Sequence, residues 1–151
     1  MRNFISEDDI EQAILQKLEG DPFQYGILRC DPSPDKRELL PDGTGRSSKK
    51  ECVLPLILRE ALARLNPDIP GEKLEEIARD LCRDFSATDM TATNYKYYNQ
   101  IRNGIKISLR RNGKEDFDFV KLVDFDRPEN NTFTAVSQMW IQGRVYWRHI
   151  R

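Results

Sequence analysis

Apolar residues recur with helical spacing through the first two thirds of the chain. Groups of them at intervals of three and four positions predict four amphipathic helices. Capping residues and helix breakers set the ends of each helix, with Ser6 before the first, Pro55 at the start of the second and Asn66-Pro67 after it. The predicted helices span Glu7–Glu19, Pro55–Leu65, Gly71–Phe85 and Asn94–Gly104.

Each predicted helix has an apolar face. In the first helix, acids occupy the first turn and Gly20 follows the last. The residues expected to face its core are Ile10, Ala13, Ile14 and Leu18; those of the second helix are Leu54, Ile57, Leu58, Ala61, Leu62 and Leu65; those of the third are Leu74, Ile77, Ala78, Leu81 and Phe85.

After Gly104 the pattern changes to alternation of apolar and polar residues, which predicts strands. The last two strands form a hairpin about Gln142-Gly143, with Val145, Trp147 and His149 on one face. Helices followed by consecutive strands are typical of an α+β fold, here with a mixed or antiparallel sheet. The predicted strands are Ile105–Arg110, Phe117–Phe125, Phe133–Ile141 and Arg144–Arg151.

Residues 31–50 carry proline, glycine, serine and charges without periodicity, which predicts an exposed, mobile loop anchored at Leu39 and Leu40. Its Gly43–Lys50 stretch does not have the Gly-x-x-x-x-Gly-Lys-Ser/Thr spacing of a phosphate-binding loop. Binding of ATP by these residues is therefore not expected.

Composition indicates one ordinary globular domain in 151 residues, with 38% hydrophobic residues, 32% charged residues and a net charge of -1. Such a near-neutral balance neither supports nor excludes DNA binding. Three widely spaced cysteines favour reduced thiols, and neither a signal segment nor an apolar run of membrane-spanning length is present. A cytoplasmic protein without a membrane partner is expected.

Several short motifs follow one another in a fixed order. An apolar strand from Val120 leads into Asp124-Phe-x-x-Pro-x-x-Asn-x-Phe133, then Ser137-Gln138 and a basic segment. The earlier pieces are Phe4-Ile5-Ser6-Glu7, Ile10-Glu11, Leu62-x-x-Leu65-Asn66-Pro67 and Asn99-x-x-x-Asn103-Gly104-Ile105. In this order, over nearly the whole chain, they resemble the N-terminal domain of the restriction (R) subunit of type I restriction-modification enzymes.

The resemblance implies a Mg²⁺-dependent nuclease domain of the PD-(D/E)xK type, with a mixed central sheet flanked by helices and an ATP-driven DNA translocase downstream. It implies double-stranded DNA and the modification and specificity subunits as partners. In the family, an Arg-Pro-Asp stretch and a Glu-x-Lys supply the catalytic groups. Arg151 would be the arginine of that stretch, so residues 1–151 would be the N-terminal portion of the nuclease domain, ending before the catalytic Asp and inactive alone.

Glu11 and Glu7 are the candidate catalytic residues. They lie one turn apart on the same face of the first predicted helix, and nucleases related to this family place an acid there, near the metal. Glu11 is the stronger candidate because it adjoins the apolar face. The simpler interpretation is that Glu7 stabilises the helix N-terminus and Glu11 is solvated.

Basic residues near the end of the chain and in the loop are the candidate contacts to DNA phosphates, because guanidinium groups pair with phosphate oxygens in a forked geometry. An alternative role for the basic and aromatic strand is protection of a sheet edge from aggregation. The candidate residues are Arg144, Arg148, Arg151, Lys49 and Lys50.

Two other functions remain open. One is a non-catalytic module that keeps a nuclease-like framework for docking to DNA or to the other subunits, and the other is a stand-alone nuclease without a motor. Pro-Asp and Glu-x-Lys beyond Arg151 in the parent gene would favour the enzyme over the docking module. The length of the parent protein would decide whether a motor is present.

Overall fold

A computed structural model describes residues 5–83, 89–111, 113–143 and 145–150, and these residues form both helices and strands. The α+β class predicted from the sequence is confirmed. The helices are α1 (Glu7–Glu19), α2 (Pro55–Leu65), α3 (Gly71–Leu81) and α4 (Met90–Asn103). The strands are β1 (Gly26–Arg29), β2 (Ile105–Arg111), β3 (Lys114–Val120), β4 (Thr134–Ser137), β5 (Met139–Gln142) and β6 (Trp147–Ile150).

The strands of the described residues pair into three separate two-stranded sheets, not into one. Strands β1 and β4 are parallel, whereas β2–β3 and β5–β6 are antiparallel. The chain divides into two compact units, the first made of Met1–Lys49 and Thr132–Arg151, the second of Lys50–Asn131. No helix of the described residues is long and apolar enough to cross a membrane.

The second unit holds the largest buried apolar cluster among the described residues. Helix α2 has the predicted bounds, and α3 buries four of its predicted positions but ends at Leu81. Phe85 lies outside the described residues. The cluster comprises Leu62, Ile69, Leu74, Ile77, Ala78, Leu81, Ile107 and Val120.

Helix α4 begins four residues before the predicted start because Asp89 caps it. The Asp89 carboxylate accepts hydrogen bonds from the backbone N–H groups of Thr91 (2.9 Å) and Ala92 (3.4 Å). These donors have no partner within a helix, so an acidic side chain at this position stabilises the N-terminus. The periodic apolar pattern did not reveal the cap.

Strands β2 and β3 form an antiparallel hairpin, and β3 ends at Val120 instead of extending to Phe125 as predicted. After it, Asp124 accepts hydrogen bonds from the backbone of Asp126 (3.2 Å) and Arg127 (3.1 Å) and from Asn130 Nδ2 (2.9 Å). These bonds lower the pKa of Asp124, the Asn130 amide most strongly. The Asp-Phe-x-x-Pro motif is therefore a side-chain-stabilised turn.

In the first unit, α1 has the predicted bounds but a different inward face. Ser6 and Asp9 form a reciprocal cap, in which each side chain accepts a hydrogen bond from the other residue's backbone. The predicted core positions Ile10 and Ile14 are 52% and 53% exposed, so that prediction is wrong. The least exposed residues of α1 are Glu11, Leu15 and Leu18. Glu11 faces inward because Ser137 and Gln138 donate hydrogen bonds to its carboxylate.

The strand predicted over Phe133–Ile141 is two strands separated at Gln138, whose φ is 61°. The parallel pairing of β4 with β1 runs from Gly26↔Thr134 to Arg29↔Ser137, and β1 was not predicted. The hairpin β5–β6 is confirmed. Trp147 and His149 share one half-buried face of β6, whereas Val145 precedes the strand and is exposed.

The 31–50 segment is anchored by buried charges and not by its leucines. Leu39 and Leu40 are exposed, which contradicts their predicted role, whereas Thr44, Arg46 and Lys49 are buried. The Arg46 guanidinium donates to the Trp140 carbonyl oxygen (3.1 Å), and the Gln142 N–H donates to the Lys49 carbonyl oxygen (2.9 Å). The segment is thus tied to strand β5.

Candidate active site

Glu11 of α1 is held by two residues from the junction of β4 and β5. The Ser137 hydroxyl donates to Glu11 Oε1 (2.5 Å), and Gln138 Nε2 donates to Glu11 Oε2. Ser137 is buried and Gln138 is half-buried. The carboxylate therefore has a defined orientation, which differs from the solvated side chain of the simpler interpretation.

Glu11 lines a pocket of the first unit together with two acids of the first turn of α1. Glu7, Asp8 and Glu11 are the charged residues among the described residues that line it, so all of the formal charges are negative. Such a surface attracts cations and repels phosphate. The other lining residues are Ser6, Pro32, Pro34, Gln138, Trp140 and His149.

Trp140 and His149 form one wall of this pocket. Their rings stack with a centroid distance of 4.3 Å and an interplanar angle of 8°. Trp140 Nε1 and His149 Nε2 are buried and have no hydrogen-bond partner among the described residues. His149 is thus packed against an aromatic ring.

The described residues do not by themselves form a metal site. They contain no group of three or more histidine, cysteine, aspartate or glutamate side chains arranged to hold an ion. Glu11 fits one part of such a site, because an oriented carboxylate is the oxygen ligand that Mg²⁺ prefers. Further ligands would have to come from other residues.

The candidate DNA-contact residues differ in accessibility. Arg148 is exposed on β6 and Lys50 is exposed in the second unit, whereas Lys49 is only 5% exposed. Arg144 and Arg151 lie outside the described residues. The Lys49 ammonium donates to Asp42 Oδ2 (2.6 Å), and this burial favours a structural role over the phosphate contact expected from the sequence.

Asp42 is the centre of a buried charge cluster with Lys49 and Arg46. Its carboxylate accepts hydrogen bonds from Lys49, from the Thr44 hydroxyl and from Arg46 Nη2 (2.8 Å). Burial alone would raise the pKa of Asp42, but these hydrogen bonds outweigh it and hold the pKa well below its usual value. Asp42 therefore remains charged and forms ion pairs with both buried cations.

The sequence did not reveal the roles of Ser137 and Gln138. The signals it contains are that Ser137-Gln138 belongs to the order of motifs behind the family resemblance, and that two polar residues interrupt an apolar strand between Val136 and Met139. Regular alternation would permit one of them to face the core, not both. Their partner Glu11 lies more than a hundred residues earlier, so only the tertiary structure could identify it.

Residues 4–149 match the family described as Type I restriction enzyme R protein N terminus, and the chain belongs to this family. It is 29% identical over 140 residues to the type I restriction enzyme HindI endonuclease subunit of Haemophilus influenzae. It is 25% identical over 136 residues to the putative type I restriction enzyme MjaIXP endonuclease subunit of Methanocaldococcus jannaschii.

These alignments cover 93% and 88% of this chain but only 13% and 12% of the two relatives. The chain therefore spans about an eighth of the length of the proteins it resembles. No solved structure matches it. The family assignment thus rests on the sequence alignments.

Proposed function

We propose that this chain is the N-terminal portion of the nuclease domain of a type I restriction R subunit, in which Glu11 is a catalytic carboxylate. In the complete protein, the domain would have the PD-(D/E)xK fold and cleave phosphodiester bonds of double-stranded DNA. An ATP-driven motor elsewhere in that protein would move the DNA. The observation that carries the proposal is the oriented Glu11 carboxylate in an acidic pocket of a family member.

The geometry of Glu11 supports this role. An ionised carboxylate has about four acceptor positions, and Ser137 and Gln138 use one on each oxygen. The remaining positions are available for a metal ion or for a water molecule. Mg²⁺ would neutralise the acidic pocket and polarise a phosphoryl oxygen when bound. The other ligands would come from the Asp and Glu-x-Lys of the family, which are not among these 151 residues.

DNA contact is proposed for Arg148 and Lys50, whose side chains are exposed. Arg148→Ala in the complete protein should reduce the slope of log Kobs against log salt concentration by about one, because one phosphate contact is lost. The control is Arg79→Ala on α3, where the arginine is 69% exposed and bonded to Glu75. An unchanged slope for Arg148→Ala would remove this residue from the DNA contacts.

The test of Glu11 uses the complete R subunit in its enzyme complex. Glu11→Gln keeps the size of the side chain and removes the charge, so we expect plasmid cleavage with Mg²⁺ and ATP to fall by at least about 100-fold. ATP hydrolysis should be retained, because the motor is separate from the pocket. The matched control is Glu19→Gln at the other end of α1, an exposed acid whose change should leave cleavage intact.

Glu7 is the weaker candidate and is tested in the same way. It lies in the first turn of α1, where an acid also stabilises the helix, so Glu7→Gln is expected to have a smaller effect than Glu11→Gln. Full cleavage by Glu11→Gln would contradict the proposed role of Glu11.

The alternative is a non-catalytic module that docks to DNA or to the modification and specificity subunits. The described residues contain no complete metal site, which both functions allow. This alternative requires that cleavage by the complete enzyme be independent of Glu11, while assembly of the complex depends on the surface of this domain. Cleavage and size-exclusion chromatography of the Glu11→Gln complex together separate the two functions, because the nuclease proposal expects lost cleavage with normal assembly and the docking alternative expects full cleavage.

A further inference from the structure

Gln138 combines an unusual backbone conformation with a contact to the proposed catalytic carboxylate. Its φ of 61° lies in the left-handed region, which is unfavourable for a residue with a β-carbon. Its amide donates to Glu11 Oε2, from a position 127 residues later in the chain. Backbone strain at such a place indicates a constraint that other contacts enforce.

The left-handed conformation explains how two consecutive residues reach one carboxylate. In a regular strand, successive side chains point to opposite faces, so Ser137 and Gln138 could not both contact Glu11. The turn at Gln138 ends the pairing of β4 with β1 and starts β5, and it breaks this alternation. Both side chains then point to Glu11, one to each oxygen.

We propose that Gln138 and Ser137 are positioning residues, which set the orientation of the Glu11 carboxylate through the left-handed turn between β4 and β5. This inference rests on the proposed catalytic role of Glu11. Ser137 is itself fixed, because its carbonyl oxygen accepts a hydrogen bond from the Cys30 N–H (3.0 Å) beyond the end of β1. The parallel pair β1–β4 therefore supports the position of the hydroxyl.

The chain offers a matched control for Gln138. Gln24 also has a positive φ, 51°, and its side-chain amide also donates to a carboxylate, that of Asp21 (2.6 Å). In both positions, glycine adopts the same backbone without strain, so the change to glycine removes the amide while the fold is retained. Gln138→Gly and Gln24→Gly differ in whether the lost amide contacts Glu11.

The experiment compares both variants in the complete enzyme complex, with Glu11→Gln beside them. We expect Gln138→Gly to reduce Mg²⁺-dependent cleavage about 10-fold to 100-fold, the effect typical of losing a residue that orients a ligand. The Mg²⁺ concentration for half-maximal cleavage should rise, while ATP hydrolysis stays unchanged. Gln24→Gly should leave all of these quantities unchanged, and Gln138→Asn, which keeps an amide and tolerates the left-handed backbone, should recover part of the cleavage.

A second readout does not depend on activity. In the 151-residue chain, Glu11→Gln and Gln138→Gly should not be additive in the unfolding equilibrium constant, because the two residues share a contact. Glu11→Gln and Gln24→Gly should be additive. Additive effects of Glu11→Gln and Gln138→Gly on unfolding would contradict a contact between the two side chains.

The outcomes separate this inference from the proposed function. Loss of cleavage in Glu11→Gln with full cleavage in Gln138→Gly would overturn the positioning role and leave the catalytic role of Glu11 intact. Full cleavage in Glu11→Gln would overturn the catalytic role, and the positioning role with it. Equal losses in Gln138→Gly and Gln24→Gly would show a general effect of the backbone change and would also overturn the inference.

Discussion

The side chain of Asn66 and the backbone of Lys121 are joined by two hydrogen bonds across 55 residues of sequence. Asn66 Nδ2 donates to the Lys121 carbonyl oxygen (2.9 Å), and the Lys121 N–H donates to Asn66 Oδ1 (2.7 Å). Asn66 Nδ2 also donates to the Leu62 carbonyl oxygen (2.9 Å). The buried Asn66 side chain therefore bonds the C-terminal end of α2 to Lys121, the residue that follows β3.

Asn66→Ala should destabilise the second unit by about 1 to 3 kcal/mol, because it removes a buried amide and leaves the Lys121 N–H and carbonyl oxygen without this partner. Urea unfolding followed by far-UV circular dichroism measures this, since α2, α3 and α4 all lie in that unit. The control is Asn94→Ala on the exposed side of α4, which should change stability by less than about 0.5 kcal/mol. Equal effects of the two changes would contradict the structural role of Asn66.

Gly104 and Gly113 provide a comparison of backbone strain with steric clash. Both have positive φ, 79° and 78°. A β-carbon at Gly104 would lie 2.9 Å from the Val120 carbonyl oxygen, whereas one at Gly113 would contact nothing within 4 Å. Gly113→Ala should cost about 1 to 2 kcal/mol from backbone strain, and Gly104→Ala should cost clearly more. If Gly104→Ala and Gly113→Ala lower the free energy of unfolding by the same amount, the backbone near Val120 moves to accommodate the new methyl group, and the predicted cost of the clash is wrong.

Asp42→Asn should strongly destabilise the first unit, by about 3 to 5 kcal/mol, because the buried Lys49 ammonium and Arg46 guanidinium would each lose the ion pair with Asp42. Denaturation followed by tryptophan fluorescence reports this unit, which contains both tryptophans, Trp140 and Trp147. The control is Asp31→Asn, in a surface pair with Lys36, where the loss should be small. Comparable losses would indicate that burial of the Asp42 cluster contributes little.

The stability of the first unit should also fall in acid through Asp42. Its folded pKa is depressed, so its contribution is present above the unfolded value of about 4 and is lost as the pH falls from there through the folded pKa. The difference in unfolding free energy between the native chain and Asp42→Asn should therefore be constant near neutral pH and shrink below about pH 4. A difference that grows on acidification would contradict the depressed pKa.

Sequence reasoning identified the helices well because their signals are local. The bounds of α1 and α2 follow from Ser6, Gly20 and Pro55, residues that act on the backbone within one turn. The burial of α3 was predictable because its apolar residues occupy one face. The inward face of α1 was not, because Ile10 and Ile14 lie on a different face from Leu15 and periodicity does not state which face meets a partner.

The candidate site was only partly predictable. Glu11 was named because nucleases related to the family place an acid in the first helix, and it was preferred to Glu7 because it adjoins the apolar face. The sequence did not indicate that Ser137 and Gln138 hold its carboxylate. Lys49 was read as a surface cation because it lies in a polar segment, whereas its pairing with Asp42 depends on how that segment folds back on itself. The charge of a side chain does not by itself indicate whether the folded protein exposes or buries it.

By itself the sequence determined the mixture of helices and strands, their approximate bounds and the family, since these depend on short-range periodicity, capping and the order of motifs. Only the tertiary structure decided that Gln138 divides one apolar run into two strands and that Ser137 and Gln138 meet Glu11. Contacts between residues more than a hundred positions apart depend on how the whole unit packs. No local pattern encodes which distant carboxylate a given amide will reach.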